Sequence, residues 1–319
     1  MRRNKYIQEK TFGNISSFNF TKNAFYDKIW NEQTVVARGL YIDTEKMKVM
    51  CRGFSKFFNI NERPETKFDM LQYTLQFPVT CYVKENGFLG LVSYDEYKDD
   101  LFITTKSNPE GEYASWLRTM IETKFSKDTI LKIKEHCKND NVTYLFECVD
   151  IVNDPHIIDY SESELYLLAI VKNEIDFNQY NYDYIVNTAN NLGIKVKEKA
   201  FEIKDWSEFF DWYNEVTQEG YEYNGKNIEG FVIEDSAGFM TKLKLQYYNF
   251  WKYMRSVAHE TLRKGYINKT GSLNTAEANE FYAFCQKLYN SVEDKEGLSK
   301  IPKDIISLRR MYLEDNNKN

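Results

Sequence analysis

Cys81-Tyr82-Val83-Lys84-Glu85-Asn86-Gly87-Phe88-Leu89-Gly90 reads as two apolar runs separated by a polar break. The β-branched and aromatic character of Cys81-Tyr82-Val83 predicts one strand, and Phe88-Leu89-Gly90-Leu91-Val92 predicts a second. Asn86-Gly87 between them is a tight-turn dipeptide, so the pair is expected to form a hairpin. Lys84 then falls where a buried strand meets a turn. Desolvation there favours its neutral, nucleophilic form, the chemistry of a covalent lysine adduct. A solvated hairpin lysine has the same four-residue pattern, so the weight falls on partners elsewhere in the chain.

Composition narrows the classes. The 319 residues are 42% hydrophobic and 16% aromatic, enough for one large domain plus a smaller one with a real core. No apolar run follows the basic start and no long uncharged apolar span occurs, so an intracellular, soluble protein without membrane contact is expected. Cys51, Cys81, Cys137, Cys148 and Cys285 form no CxxC pair, which excludes a zinc knuckle of ordinary spacing and suggests free thiols. The net charge of −6 confines any nucleic-acid surface to a local patch. Three histidines without HExxH make a histidine-based site improbable, and the lack of GxxxxGK[ST] removes a P-loop kinase module.

Outward from the central stretch, Val35-Val36-Ala37-Arg38-Gly39-Leu40-Tyr41-Ile42 reads as a strand interrupted by Arg-Gly. Arg38 sits on a solvated face or, if turned into a cleft, suits phosphate. Residues 48–53 read as the returning strand, and Ser55-Lys56-Phe57-Phe58-Asn59 as an aromatic loop. Downstream, 101–106 is a strand, 112–136 one helix, and 142–149 an apolar strand carrying Glu147, which needs a cationic or ligand partner if it faces inward. Residues 165–171 predict a central strand, 182–191 a helix stopped by Gly193, 194–201 a strand, and 206–217 a helix. Ile228-Glu229-Gly230-Phe231-Val232-Ile233-Glu234 is a strand with Glu-Gly inside it. In Phe239-Met240-Thr241-Lys242-Leu243-Lys244-Leu245 alternation puts Lys242 and Lys244 on one face, an arrangement that serves a solvated surface equally well. After Tyr247 the strand signals stop. The division expected is 1–245 around the lysine and 246–319 as an all-helical module.

The ordered set Arg-Gly, Ser-Lys-Phe-Phe-Asn, Lys-x-Asn-Gly, Thr-Lys-Ser, Phe-Glu, Glu-Gly-Phe-Val and Lys-x-Lys resembles the covalent nucleotidyltransferase superfamily of polynucleotide ligases and mRNA capping enzymes. The RNA ligase branch, with the phage tRNA-repair ligase and the ligase domains of fungal and plant tRNA ligases, is most similar, over about residues 35–248. The resemblance implies an α+β fold with antiparallel sheets around a nucleotide cleft. It makes Lys84 the nucleophile that accepts AMP, with Asn86-Gly87 closing the motif. Arg38 and Lys56 match positions that contact the nucleotide or its phosphates, and Lys106 a basic position of the next motif. Glu147 matches a carboxylate near the ribose or metal, Leu168 and Val232 the residues that sandwich adenine, Glu229 the metal-associated glutamate, and Lys242 and Lys244 the lysines that grip phosphate. One departure stands out: Pro155-His156-Ile157-Ile158 replaces an Asn-Arg before an apolar pair, which puts that arginine's contacts in doubt.

The implied activity is ATP-dependent RNA ligation with Mg²⁺ or Mn²⁺, joining 5′-phosphate and 3′-hydroxyl ends, broken tRNA among the candidates, with end-healing kinase and phosphatase supplied separately. A DNA ligase, a capping enzyme or a non-catalytic RNA-end module are the alternatives. Nearby Lys242, Lys244 and a divalent cation are expected to lower the Lys84 pKa from its ordinary value near ~10.4. A lone Glu229 suits magnesium, which keeps several waters. In the tail, Phe250, Trp251 and Met254 are expected to dock on the catalytic part, leaving Lys252, Arg255, Arg263 and Lys264 for RNA.

Overall fold

The computed structural model describes residues 1–266, 273–292 and 295–316, and the fold is α+β. An N-terminal antiparallel sheet runs β1 (Ile7–Phe12), β2 (Ile15–Phe20), β3 (Leu40–Asp43), β4 (Lys48–Arg52). Two five-stranded sheets follow. The lysine sheet has the order β12 (Lys199–Ile203), β6 (Val79–Lys84), β13 (Gly230–Asp235), β14 (Met240–Lys244), β5 (Phe58–Asn59). The facing sheet has the order β11 (Lys195–Val196), β10 (Glu164–Lys172), β9 (Val142–Val149), β7 (Phe88–Asp95), β8 (Asp100–Thr105).

The expected hairpin at Asn86-Gly87 is not there. β6 pairs with β12 and β13, whereas β7 pairs with β8 and β9. The chain leaves one sheet at Lys84 and enters the other at Phe88. The reason lies in the two residues that suggested a turn. Asn86 is buried with its side chain spent on other segments, and a Cβ on Gly87 would collide with the Cys148 carbonyl of β9.

Three further expectations change. Residues 35–36 end a helix, α2 (Glu32–Val36), rather than opening a strand. Asn31 caps it, accepting from the Gln33 and Thr34 amides, while the Thr34 hydroxyl accepts from the Asn31 amide, a reciprocal capping box. Gly39 at φ +64° then restarts the chain as β3, so Arg38 lies on a loop after α2, which is itself preceded by α1 (Lys22–Tyr26). The helix expected over 112–136 is two, α4 (Glu112–Lys124) and α5 (Lys127–Asp140), because the Ser126 hydroxyl accepts the Thr129 amide at 3.1 Å and starts a new N-terminus. The strand expected over 194–201 is split into β11 and β12, which belong to different sheets.

Two-residue periodicity then builds the cleft. Tyr82 and Lys84, Val232 and Glu234, and Met240 and Lys242 share the inner face of the lysine sheet. Their neighbours Cys81, Phe231, Ile233 and Leu243 join a core with α3 (Phe68–Thr74) and α7 (Trp206–Val216) on the outer face. The facing sheet packs with α4, α5 and α6 (Tyr182–Leu192). Its middle strand β9 is buried at every position, Glu147 included.

Beyond β14 the chain is helical: α8 (Gln246–Lys264), α9 (Ala276–Asn290), α10 (Lys295–Lys300) and α11 (Ile305–Asp315). Trp251 and Met254 are buried with Phe281, Phe284, Leu308 and Tyr312, so they mainly form a core of these helices rather than a docking face. Ile157 and Ile158, from the loop between β9 and β10, insert into that core. Among the described residues no helix is long and apolar enough to cross a membrane, and all five cysteines are free and buried.

Candidate active site

Lys84 ends β6 opposite Gly230 of β13, and Gly230 in turn pairs with Lys244 of β14. That register stacks Lys84 and Lys244 on either side of Glu229. Lys84 Nζ lies 3.1 Å from Glu229 Oε2 and Lys244 Nζ lies 2.7 Å from Oε1. Asn86 Nδ2 donates to Oε2 at 2.8 Å. Glu229 is 2% exposed. Burial pushes its carboxyl up, but Lys84 and Lys244 outweigh burial and hold the pKa below the usual carboxylate range. Gly230 is obligatory in this register: its φ is +151° and a Cβ would strike the Leu243 carbonyl.

The electrostatics of Lys84 run opposite to expectation. Burial does lower its pKa, but Glu229 and then Glu147 outweigh that effect and raise it above the ordinary lysine value. Lys242, by contrast, is depressed, brought to about 7 by burial and then by Lys56, Arg38, Lys84 and Lys244. Its ammonium donates to the Phe57 carbonyl at 3.5 Å and lies 4.8 Å from the Phe57 ring centroid. Sequence alternation placed the cations together correctly, but the carboxylate that decides which lysine carries the proton comes from the residue before β13.

Between these groups lies a cleft lined by Arg38, Lys84, Glu147, Leu168, Val232 and Lys242 among others. Leu168 reaches it from a bulge in β10, where Leu167 and Ala169 pair with the consecutive residues Phe146 and Leu145 of β9. Arg38 donates to the Phe54 carbonyl at 3.2 Å; burial lowers its pKa while Glu147 opposes the fall. Glu147 accepts the Gly87 amide at 3.0 Å, so its partner is the motif backbone, with Arg38 acting through space. Lys56 stands 4.0 Å from the Phe58 ring centroid and 3.5 Å from Glu62; burial lowers its pKa. Lys106 follows β8 at an exposed position and, like Lys56, is not among the residues lining the cleft; burial and then Arg38 lower its pKa, so it stands near the Arg38 end.

Other contacts had no sequence signal. Tyr160 Oη donates to Glu85 Oε2 and accepts from the Asn86 amide, each at 2.8 Å, pairing residues 75 and 74 positions apart. Lys197 is buried in the cleft wall 3.9 Å from the Tyr82 ring centroid, with Glu234 at 3.6 Å. Tyr248 of α8 lies over Lys244 Nζ at 4.5 Å. His156, which stands where the resembling family has an arginine, bonds Asp154 at 2.6 Å. Among the described residues no three His, Cys, Asp or Glu side chains gather as a metal cage. Glu229 fits a hydrated divalent cation that takes one or two carboxylates.

Two sheets facing across a cleft, with a strand-end lysine bonded to a buried glutamate, define the nucleotidyltransferase fold of ligases. The chain belongs to the RNA ligase family, whose model matches residues 36–248. It is 25% identical to the tRNA ligase of Candida albicans across 92% of its length and 39% of that protein. It is likewise 25% identical to tRNA ligase 1 of Schizosaccharomyces pombe, covering 87% of this chain and 38% of that one. The chain thus spans about two fifths of these relatives. An archaeal ATP-dependent RNA ligase, 12% identical, superposes with a TM-score of 0.55 over 98% of this chain and 84% of that chain, a likeness of fold.

Proposed function

We propose that this chain is an ATP-dependent RNA ligase that carries AMP on Lys84, residues 1–245 forming the nucleotidyltransferase unit and 246–319 a helical module. The observation that carries the reading is the Lys84–Glu229–Lys244 triangle at the rim of the cleft. Deprotonated Lys84 Nζ attacks the α-phosphorus of ATP, forming the N–P bond as the bond to pyrophosphate breaks. An RNA 5′-phosphate oxygen then displaces the lysine, and a 3′-hydroxyl displaces AMP to join the strands. Leu168 and Val232 hold adenine between them, and Arg38, Lys56, Lys242 and Lys244 meet the phosphates, with Lys106 further out. Glu147 orients the Gly87 amide. Glu229 would hold a Mg²⁺ or Mn²⁺ ion, which would supply charge dispersal at phosphate. In this structure Glu229 holds Lys84 at 3.1 Å and Lys244 at 2.7 Å.

RNA with 5′-phosphate and 3′-hydroxyl ends is the substrate, broken tRNA being the candidate that the relatives' names suggest. Healing enzymes are supplied apart from this chain. The test is incubation with α-labelled ATP or GTP and a divalent cation, followed by nicked DNA or single-stranded RNA. The expected result is one acid-labile AMP per chain from ATP, none in Lys84→Ala, and transfer to RNA. An undiminished adduct in Lys84→Ala overturns the nucleophile, and sealing of DNA alone overturns the substrate.

A further inference from the structure

Among the links between the nucleophile motif and the helical module, one runs through a buried arginine. Arg309, on α11, is 6% exposed and lies between aromatic rings, its guanidinium 5.3 Å from the Trp251 centroid and 5.4 Å from that of Tyr247. Its Nη1 donates to the Ile157 carbonyl at 3.1 Å. The amides of Ile157 and Ile158 both donate to Asn86 Oδ1, at 2.9 and 3.1 Å. Asn86 Nδ2 then donates to Glu229 Oε2, the oxygen that holds Lys84. Every group on this path is buried or half-buried, so water competes weakly for each bond. The apolar side chains of Ile157 and Ile158 are fixed in the helical core, which holds their two amides toward Asn86.

We propose that Arg309 is a positioning residue for Lys84: through the Ile157-Ile158 backbone and Asn86 it sets Glu229 and hence the line of attack of the lysine. This deepens the ligase reading and rests on it. Arg309 itself lies outside the cleft lining, so its effect falls on the chemical step rather than on nucleotide binding. Misplacing a reacting atom by an ångström from a distance costs up to about a hundredfold.

The experiment measures single-turnover formation of the AMP adduct across ATP concentrations in the full chain. The variants are Arg309→Met, Arg309→Lys and, as a control that loosens α11 elsewhere, Lys287→Ala, which removes the exposed bridge to Asp315. The expected result for Arg309→Met is a rate constant roughly tenfold lower with half-saturating ATP unchanged. Arg309→Lys, which retains a donor for the Ile157 carbonyl, recovers part of the loss, and Lys287→Ala matches the parent. On an Asn86→Ala background, where the path is already cut, Arg309→Met adds less than twofold. Parental rates in Arg309→Met, or equal losses on both backgrounds, overturn the proposal. If Arg309→Met does not fold, the Arg309→Lys rate on the two backgrounds decides in the same way. A parent chain that forms no adduct overturns the ligase reading first and this inference with it.

Discussion

The two ends of the cleft use the same kind of residue to opposite effect. Lys244 and Lys242 are two positions apart on one strand and share a face, yet Lys244 meets Glu229 at 2.7 Å while Lys242 faces Phe57 and a set of like charges. The Glu229 end is balanced before any ligand arrives. The Arg38–Lys56–Lys242 end is overloaded with cations, and Lys242 answers by giving up its proton near neutrality. A buried charge with a partner stays ionised, and one without a partner of opposite sign neutralises. One end is built to hold a proton on the nucleophile, the other to welcome an anion.

The largest effect that tests this contrast is loss of either lysine. Lys242→Met and Lys244→Met should each slow adduct formation by about 10²–10³, measured by quenched labelling with α-labelled ATP. Parental rates in both would make the strand an ordinary face. Next comes Glu229→Gln. Removing the carboxylate that outweighs burial should lower the Lys84 pKa, so that Lys84 reacts faster with a small amine-directed electrophile at pH 7 while adduct formation from ATP falls. Mass spectrometry of the labelled peptide checks the first and the adduct assay the second.

Proton uptake sharpens the comparison further. With its pKa near 7, free Lys242 is mostly neutral at pH 8, and a phosphate beside it raises that pKa. ATP binding at pH 8 should therefore take up close to one proton, falling toward zero near pH 5.5 where the group is already charged. Calorimetry in buffers of different ionisation enthalpy reads this directly, and Lys242→Met should abolish it. The smallest effect belongs to the tail. Charge reversal at Arg255 and Arg263 should leave adduct formation intact, weaken sealing of RNA ends and flatten its salt dependence; Lys252, whose pKa is lowered by burial and then by Lys244, lies in the field of the lysine site, so its reversal should slow adduct formation as well. Lys264 should contribute least, being paired with Glu260 at 2.7 Å.

Much of this was legible in the sequence, for reasons that differ by residue. Period-two alternation placed Lys242 and Lys244 on one face, because a strand's pleat obeys local geometry; Val232 was placed by resemblance. Gly193 ended its helix in the left-handed conformation as glycine should. Local grammar failed where a distant segment overrode it. Asn86-Gly87 has the composition of a hairpin turn, but β9 and residues 157–158 compete successfully for its backbone and side chain. The Ser126 cap is legible in the sequence, and in the structure it overrides the amphipathic pattern that runs through it. Leu168 was placed by resemblance, whereas its aim comes from a bulge that no single strand reveals. The sign of the Lys84 shift depended on Glu229, whose distance only the paired strands define.

The chain passes between the two main sheets at residues 85–87 and again at Lys197-Glu198, and the two passages lie side by side. The Val83 amide donates to the Glu198 carbonyl at 2.9 Å, and the Lys197 amide donates to the Leu167 carbonyl at 2.9 Å. Like the spine of a book, this double seam binds the two covers along one edge. Lys84 is printed next to the spine, whereas Lys242 lies two strands out, about 10 Å away at about 4.8 Å per strand. Two separate lengths of chain anchor the nucleophile where the covers meet.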